Sequence, residues 1–366
     1  MATMELESPI VSNISKNLTD KVTLFQTYPS SLLHFATTCC ITYTVFGVTG
    51  NLLTILALLK SPRLRNATSV FIINLCIVDG FYCSFTFPLA ASTFIHKSWP
   101  YSDTLCKIYP MFRYSNVGLS LFTVIAITIN RYVIIVHPKR YDKIYTKYNI
   151  AIIILSIWVG SFLLLTPTAF GAWGSFGFSY KVSTCTILER GGKSPKNFLY
   201  AMAFTLPSAV FIYCYTRIYL TVRRSERNLR RKYGLEQEKS KSYWSKLCCF
   251  GEKEEEIQMT SEEKRQKKKI TKDLKLLRII LTIFIVFIIC YFPVVFVKIF
   301  KKEKSLPVLN IFGYLCIYFT AIINPVIYVV MSKEYRKAYK VLFNCLNRKS
   351  VNTETNSSEL TSGISK

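Results

Sequence analysis

Long uninterrupted runs of apolar residues, parted by shorter polar connections, fill the chain from about residue 32 to residue 331. Seven runs reach the roughly 20 residues that a helix needs to cross a bilayer, at about 32–59, 68–95, 104–136, 150–170, 198–222, 274–300 and 307–331. Their apolar character is continuous, not alternating, which predicts helices apolar on most sides rather than half-buried strands. The expected fold is an all-α membrane bundle of seven transmembrane helices. A different pattern follows the seventh run, where Lys333 to Phe343 can place aromatic and aliphatic residues on one side and cations on the other. That is the pattern of an eighth helix lying on the membrane surface over 333–345, with Cys345 as a palmitoylation site.

The third run carries an arginine near each end, Arg113 and Arg131, eighteen residues apart. At about 100° per residue they share one helix face, about 27 Å apart, which is nearly the thickness of a hydrocarbon core. Val117, Ser120 and Val124 fall within about 40° of the same azimuth, so this face is neither a charged surface nor a plain lipid stripe.

The layout that follows is a polar tail over 1–30 with glycosylation sequons at Asn13 and Asn17, a helical domain over 31–332, the interfacial helix and a polar tail over 346–366. The first thirty residues lack the pattern of a cleavable signal peptide, so the first span is expected to direct its own insertion. An odd number of spans puts the two ends on opposite sides. Lys60, Arg63 and Arg65 follow the first run, Lys139, Arg140, Lys143 and Lys147 follow the third, and 217–272 is densely basic. These connections are therefore expected in the cytosol and the amino terminus outside, in the plasma membrane. The one long linker, 223–272, is expected to extend the flanking helices or to be disordered.

Composition agrees. The chain of 366 residues is 51% hydrophobic and 14% aromatic, with a mean hydropathy of +0.27. Its net charge of +26 would suit a nucleic-acid binder, but the cations crowd between apolar runs, so nucleic acid is not an expected partner. Of twelve cysteines, most sit inside apolar runs as small hydrophobes, while Cys106 and Cys185 occupy outward-facing positions. With His34, His96 and His137 as the only histidines and none at ligand spacing, a histidine metal centre is not expected, and no cofactor is called for.

Each ionisable group inside a span needs an account, since burying one near the bilayer centre costs about 2.5–3.5 kcal/mol on insertion scales. Asp79 in the second run reads either as a protonated packing carboxylate or as an ionised group that holds a sodium ion with Ser120 and Asn324. Arg113 reads either as a snorkelling anchor or as the cation of an outward-opening cavity. Lys298 could join it there, with Tyr114, Val117, Tyr314 and Tyr318 as walls. Prolines at 88, 167, 207, 293 and 325 permit kinks, and Tyr291-Phe292-Pro293 and Asn324-Pro325-Val326-Ile327-Tyr328 combine a kink with polar or aromatic side chains. No internal repeat is visible, which disfavours a transporter built on inverted halves.

Taken together these residues resemble the rhodopsin-like (class A) G-protein-coupled receptors over roughly residues 30–345. Gly50-Asn51 is similar to that family's first-helix signature, and Asn74-Leu75 with Asp79 to the second. Asn130-Arg131-Tyr132 resembles the inner end of the third helix, and Trp158 the tryptophan of the fourth. Pro207 with Tyr215, Phe287 with Cys290 and Pro293, and Asn324-Pro325 with Tyr328 follow in helices five to seven. The resemblance implies a disulfide between Cys106 and Cys185, a heterotrimeric G protein as partner, and arrestin and receptor kinases besides. It also implies a switch in which Leu121, Pro207 and Phe287 repack below a small-molecule, lipid or peptide ligand, after which Arg131 meets Tyr215, Tyr328 and the partner.

Two departures stand out. Asn130 takes the place of the usual acidic residue, so the local ion pair to Arg131 is absent, and Asp273 is the expected substitute. Tyr291 takes the place of a tryptophan in helix six. Asn130-Arg131-Tyr132, followed by Val133 to Pro138 and by Arg140-Tyr141, looks most like the invertebrate moody and trapped-in-endoderm receptors, near the melatonin-like branch. That likeness implies cell-guidance or epithelial-barrier signalling. Arg113 and Lys298 point to an anionic ligand, whereas the seventh run has no lysine for a retinal Schiff base. The competing class is a multi-pass transporter or channel.

Overall fold

The computed structural model describes residues 23–61, 66–192, 195–232, 261–300, 302 and 304–344, and the side chains of 261–277 and 298–299 fall outside that description. Asn13, Asn17 and Cys345, and the side chains of Asp273 and Lys298, therefore lie outside the described residues.

Seven helices among the described residues are long and apolar enough to cross a membrane. They are α1 (Ser30–Lys60), α2 (Ala67–His96), α3 (Asp103–Val136), α4 (Lys147–Leu163, with a further turn at Thr166–Ala169), α5 (Lys196–Lys232), α6 (Ser261–Ile299) and α7 (Pro307–Met331). Helix α8 covers 333–344. In a hydrocarbon layer every backbone N–H and C=O must be satisfied within the chain, which is why apolar runs of this length become helices. The polar connections supply the caps: Asn66, Ser102 and Thr146 each accept from a backbone N–H in the first turn of the helix they start. Both basic ends of the long linker are helical, α5 running to Lys232 and α6 starting at Ser261.

Buried asparagines join the spans. Asn51 donates to the Ala321 carbonyl at 3.0 Å, tying α1 to α7. Asn74 donates to Thr123 and accepts from the Trp158 indole, both at 2.9 Å, tying α2 to α3 and α4. Between α6 and α7 the backbones nearly touch, for a Cβ added at Gly313 would lie 2.9 Å from the Val294 nitrogen. Helix α2 contains a π turn at Tyr82–Thr86, just before Pro88. Widening the helix there adds a residue within the turn, a common accommodation of a mid-helix proline.

One end of the bundle is closed by chain that the hydropathy pattern did not reveal. A two-stranded antiparallel hairpin, β1 (Ser175–Ser179) and β2 (Thr184–Leu188), lies over it, and Cys185 in β2 is bonded to Cys106 at the start of α3. Residues 23–28, assigned above to the polar tail, are packed here instead. Leu24 N donates to the Tyr180 carbonyl, Phe25 N to Ser183 Oγ and Thr23 Oγ1 to the Lys97 carbonyl. Leu24, Phe25 and Tyr28 are all buried, because their apolar side chains cover the ends of α2 and α7. This is the capped end.

Candidate functional site

Helix α3 carries Arg113 toward the capped end and Arg131 at the other. The guanidinium carbon of Arg113 lies 5.2 Å from the centre of the Tyr314 ring, within cation–π range. Tyr318, Tyr109 and Tyr82 also surround it within electrostatic reach. It faces a cavity of about 130 Å³ bounded by α3, α4, α5, α6 and α7. Tyr114, Val117, Leu121, Pro207, Tyr291 and Tyr314 share its wall, and no carboxylate is among the described residues that line it. A guanidinium enclosed by phenols, with no carboxylate on the same wall, presents its N–H groups to an anionic guest.

Tyr318 does not line this cavity. It is buried beneath the cap, its ring 4.8 Å from that of Phe87. The cation from α5 is Lys196, which interacts electrostatically with Tyr114, while the Tyr114 hydroxyl is 3.0 Å from that of Thr186 in β2. Hydropathy offered no means of choosing Lys196, because a lysine at the bilayer edge reads equally as an anchor. Tyr82 and Tyr200, also on the wall, were overlooked because tyrosines are numerous here.

A smaller pocket of about 40 Å³ lies deeper and contains Asp79, Ser120 and Asn324. Asp79 is 2% exposed, and its two carboxylate oxygens accept from Ser120 Oγ at 3.1 Å and from Asn324 Nδ2 at 2.7 Å. The three candidate sodium residues thus converge. The oxygens of Asp79, Ser120 and Thr320 suit a hard cation, whereas Asn324 turns its NH₂ toward the carboxylate and positions it. Tyr82, Val117, Leu121 and Tyr291 line both cavities, so they form a partition between them. Phe287 borders the lower one, stacked 4.0 Å from Tyr291, and Pro207 borders the upper one.

At the far end Arg131 is buried and turns toward α2, where it donates to Thr68 Oγ1. The same hydroxyl donates to Asn130 Oδ1 at 2.7 Å. With an amide in place of a carboxylate, the bridge between α2 and α3 is uncharged on its acceptor side. Tyr132 points elsewhere, its hydroxyl 3.1 Å from His137 Nε2. Tyr215 stacks on Phe211 and reaches the Leu281 backbone of α6, and Tyr328 stacks on Tyr335 of α8. Outside the membrane, burial pushes the Tyr145 phenol, which faces Asn130, up to about 12. Pro293 and Pro325 lie inside α6 and α7 without breaking them.

The description "7 transmembrane receptor (rhodopsin family)" matches residues 50–328. The chain belongs to the rhodopsin family of seven-transmembrane receptors. Such a receptor is a signalling protein, not an enzyme, and its helices make it a multi-pass membrane protein. The receptor is 34% identical to G-protein coupled receptor moody of Drosophila pseudoobscura pseudoobscura, over 87% of this chain and 53% of that protein. It therefore spans about half the length of that relative. It is 36% identical to protein trapped in endoderm-1 of Drosophila melanogaster, over 87% of this chain and 80% of the relative. Squid rhodopsin has the same fold, with a TM-score of 0.70 at 21% identity and 87% of each chain covered.

Proposed function

We propose that this receptor binds a ligand bearing an anionic group in the Arg113 cavity and passes the event to a heterotrimeric G protein at the Arg131 end. The observation that carries the reading is Arg113, a cation in a tyrosine-walled cavity with no carboxylate on the described wall. The partition of Tyr82, Val117, Leu121 and Tyr291 gives that cavity a mechanical link to the Asp79 pocket below.

A ligand shifts the resting equilibrium only as far as it favours one state, so the contacts that change must border the cavity. Leu121 and Pro207 do, and Phe287 lies one layer deeper. Displacing that layer lets α6 swing at the Pro293 kink, which frees Arg131 from Thr68 to meet Tyr215, Tyr328 and the G protein. Sodium at Asp79, Ser120 and Asn324 would favour the resting packing. Arrestin and receptor kinases are further proposed partners, the plasma membrane the proposed location and the amino terminus the outer end. Likeness to moody suggests cell-guidance or epithelial-barrier signalling.

The test is nucleotide exchange on purified G-protein heterotrimers by the receptor in lipid nanodiscs. Exchange that is lost in Arg131→Ala supports coupling. Wild-type receptor that accelerates exchange on none of the G-protein classes would reject it.

A further inference from the structure

We infer that the occupant of the Arg113 cavity is a single-chain amphiphile with an anionic headgroup, admitted sideways from the bilayer between α4 and α5. This rests on the reading of that cavity as the ligand site and adds the ligand's class and route.

The way in from water is closed. Phe25 and Tyr28 are 2% and 4% exposed, and Ser183, which accepts from the Phe25 N–H at 2.6 Å, is wholly buried. The Cys106–Cys185 bond holds the hairpin down beside them.

The way in from the membrane is different. Among the described residues lining the cavity, those exposed on the outer surface are Leu164, Phe198, Met202 and Leu206, at 45%, 44%, 39% and 37%. The first ends α4, and the other three follow at intervals of four along α5, a single stripe of one helix face. Helices α4 and α5 pack on α3 rather than on each other, so no ridge-in-groove seam closes the space between them. The stripe from Phe198 to Leu206 runs about 12 Å along the helix, inward from the edge of the span.

The wall sorts a guest by its two ends. Arg113 is the charged residue among those described on the wall, with Lys196 interacting behind Tyr114, and the surface leading to the gap is aliphatic and aromatic. A small water-soluble anion would satisfy the first end but leave the second without a partner. A neutral lipid would do the reverse. A phosphate or carboxylate on one acyl chain satisfies both, with its tail left in the gap and continuous with the bilayer.

The test uses the full chain in phosphatidylcholine nanodiscs and oleoyl lysophosphatidate carrying a diazirine in its chain. The expected result is saturable photolabelling confined to α4 and α5, with glycerol 3-phosphate and oleyl alcohol each competing at least about tenfold less well than unlabelled oleoyl lysophosphatidate. Arg113→Gln and Met202→Trp should each weaken labelling about tenfold, the first by removing the charge and the second by filling the gap. Met202→Ala should keep binding, and thermal unfolding of the tryptophan variant checks that it is folded. If glycerol 3-phosphate competes equally and a folded Met202→Trp is silent while Arg113→Gln still weakens binding, the anion site stands and the membrane route falls. If Arg113→Gln is silent as well, the anionic-ligand reading falls with it. Labelling spread over all seven spans would mean boundary lipid only, and would overturn the inference.

Discussion

Replacing Thr68 by valine removes one hydroxyl from the contact between α2 and α3 while keeping nearly the same shape. That hydroxyl is buried, donates to Asn130 Oδ1 at 2.7 Å and accepts from Arg131. A neutral buried hydrogen bond contributes about 1 kcal/mol and one to a charged group about 1.5–3 kcal/mol. If Arg131 leaves Thr68 on activation, the resting state loses both and the active state little, a differential of about 2–3 kcal/mol. That shifts the ratio of active to resting receptor by about 30-fold or more. Starting from about one active receptor in a hundred, the variant would hold about one in four active without ligand. Ligand-free nucleotide exchange in nanodiscs reads this directly, with Thr68→Ser expected near wild type because it retains the hydroxyl. Basal exchange in Thr68→Val no higher than in wild type, at equal receptor and G protein, would refute the bridge as a resting clamp. Asn130→Asp is the converse case. A carboxylate there, beside Arg131, should have a lowered pKa and strengthen the clamp, so basal exchange should fall at neutral pH and recover as pH drops through that pKa. Wild type has an amide at this position and should show no such recovery.

Gly313→Ala should separate α6 from α7, since the new methyl would meet the Val294 backbone at 2.9 to 3.0 Å; a destabilisation of about 1–3 kcal/mol, read as a lowered unfolding temperature, is expected. Asn74→Leu strips the partners from Thr123 and Trp158 at once and should cost a similar amount, whereas Trp158→Phe, which removes one of these bonds, should cost less. Asp79→Asn should abolish any sodium dependence of ligand-free exchange; a response to sodium unchanged in that variant would remove the ion from this pocket.

Much of this was legible before any coordinates, for a physical reason that differs from part to part. The seven spans announce themselves because a bilayer demands long apolar helices, and no soluble fold makes the same demand. Asp79, Arg113 and Arg131 stand out because a charge in an apolar run is costly and so must be answered by something. What stayed hidden was the answering group. Thr68 sits near a helix start, where threonine ordinarily reads as a cap, yet Asn66 does the capping and Thr68 turns inward to Asn130. Lys196 and Lys298 are equivalent in sequence terms, one at the edge of α5 and the other at the edge of α6. The hairpin eluded the hydropathy pattern because five residues alternating about Gly177 are too few to distinguish a strand from a loop. The packing of residues 23–28 is a tertiary matter, for nothing local in Leu24-Phe25-Gln26-Thr27-Tyr28 says what it will cover.

The wide turn at Tyr82–Thr86 sets the phase between the two halves of α2. The half before it holds Asn74 and Asp79 against α3 and α7, while the half after it turns Phe94 toward Phe25, their ring centres 5.2 Å apart. Deleting one residue there would leave a regular helix, with its outer half rotated by about 100° and drawn in by about 1.5 Å. Phe94 would then face away from the cap while Asp79 stayed in place. The length of this one turn, more than the identity of any residue in it, keeps the closure of the receptor in register with its interior.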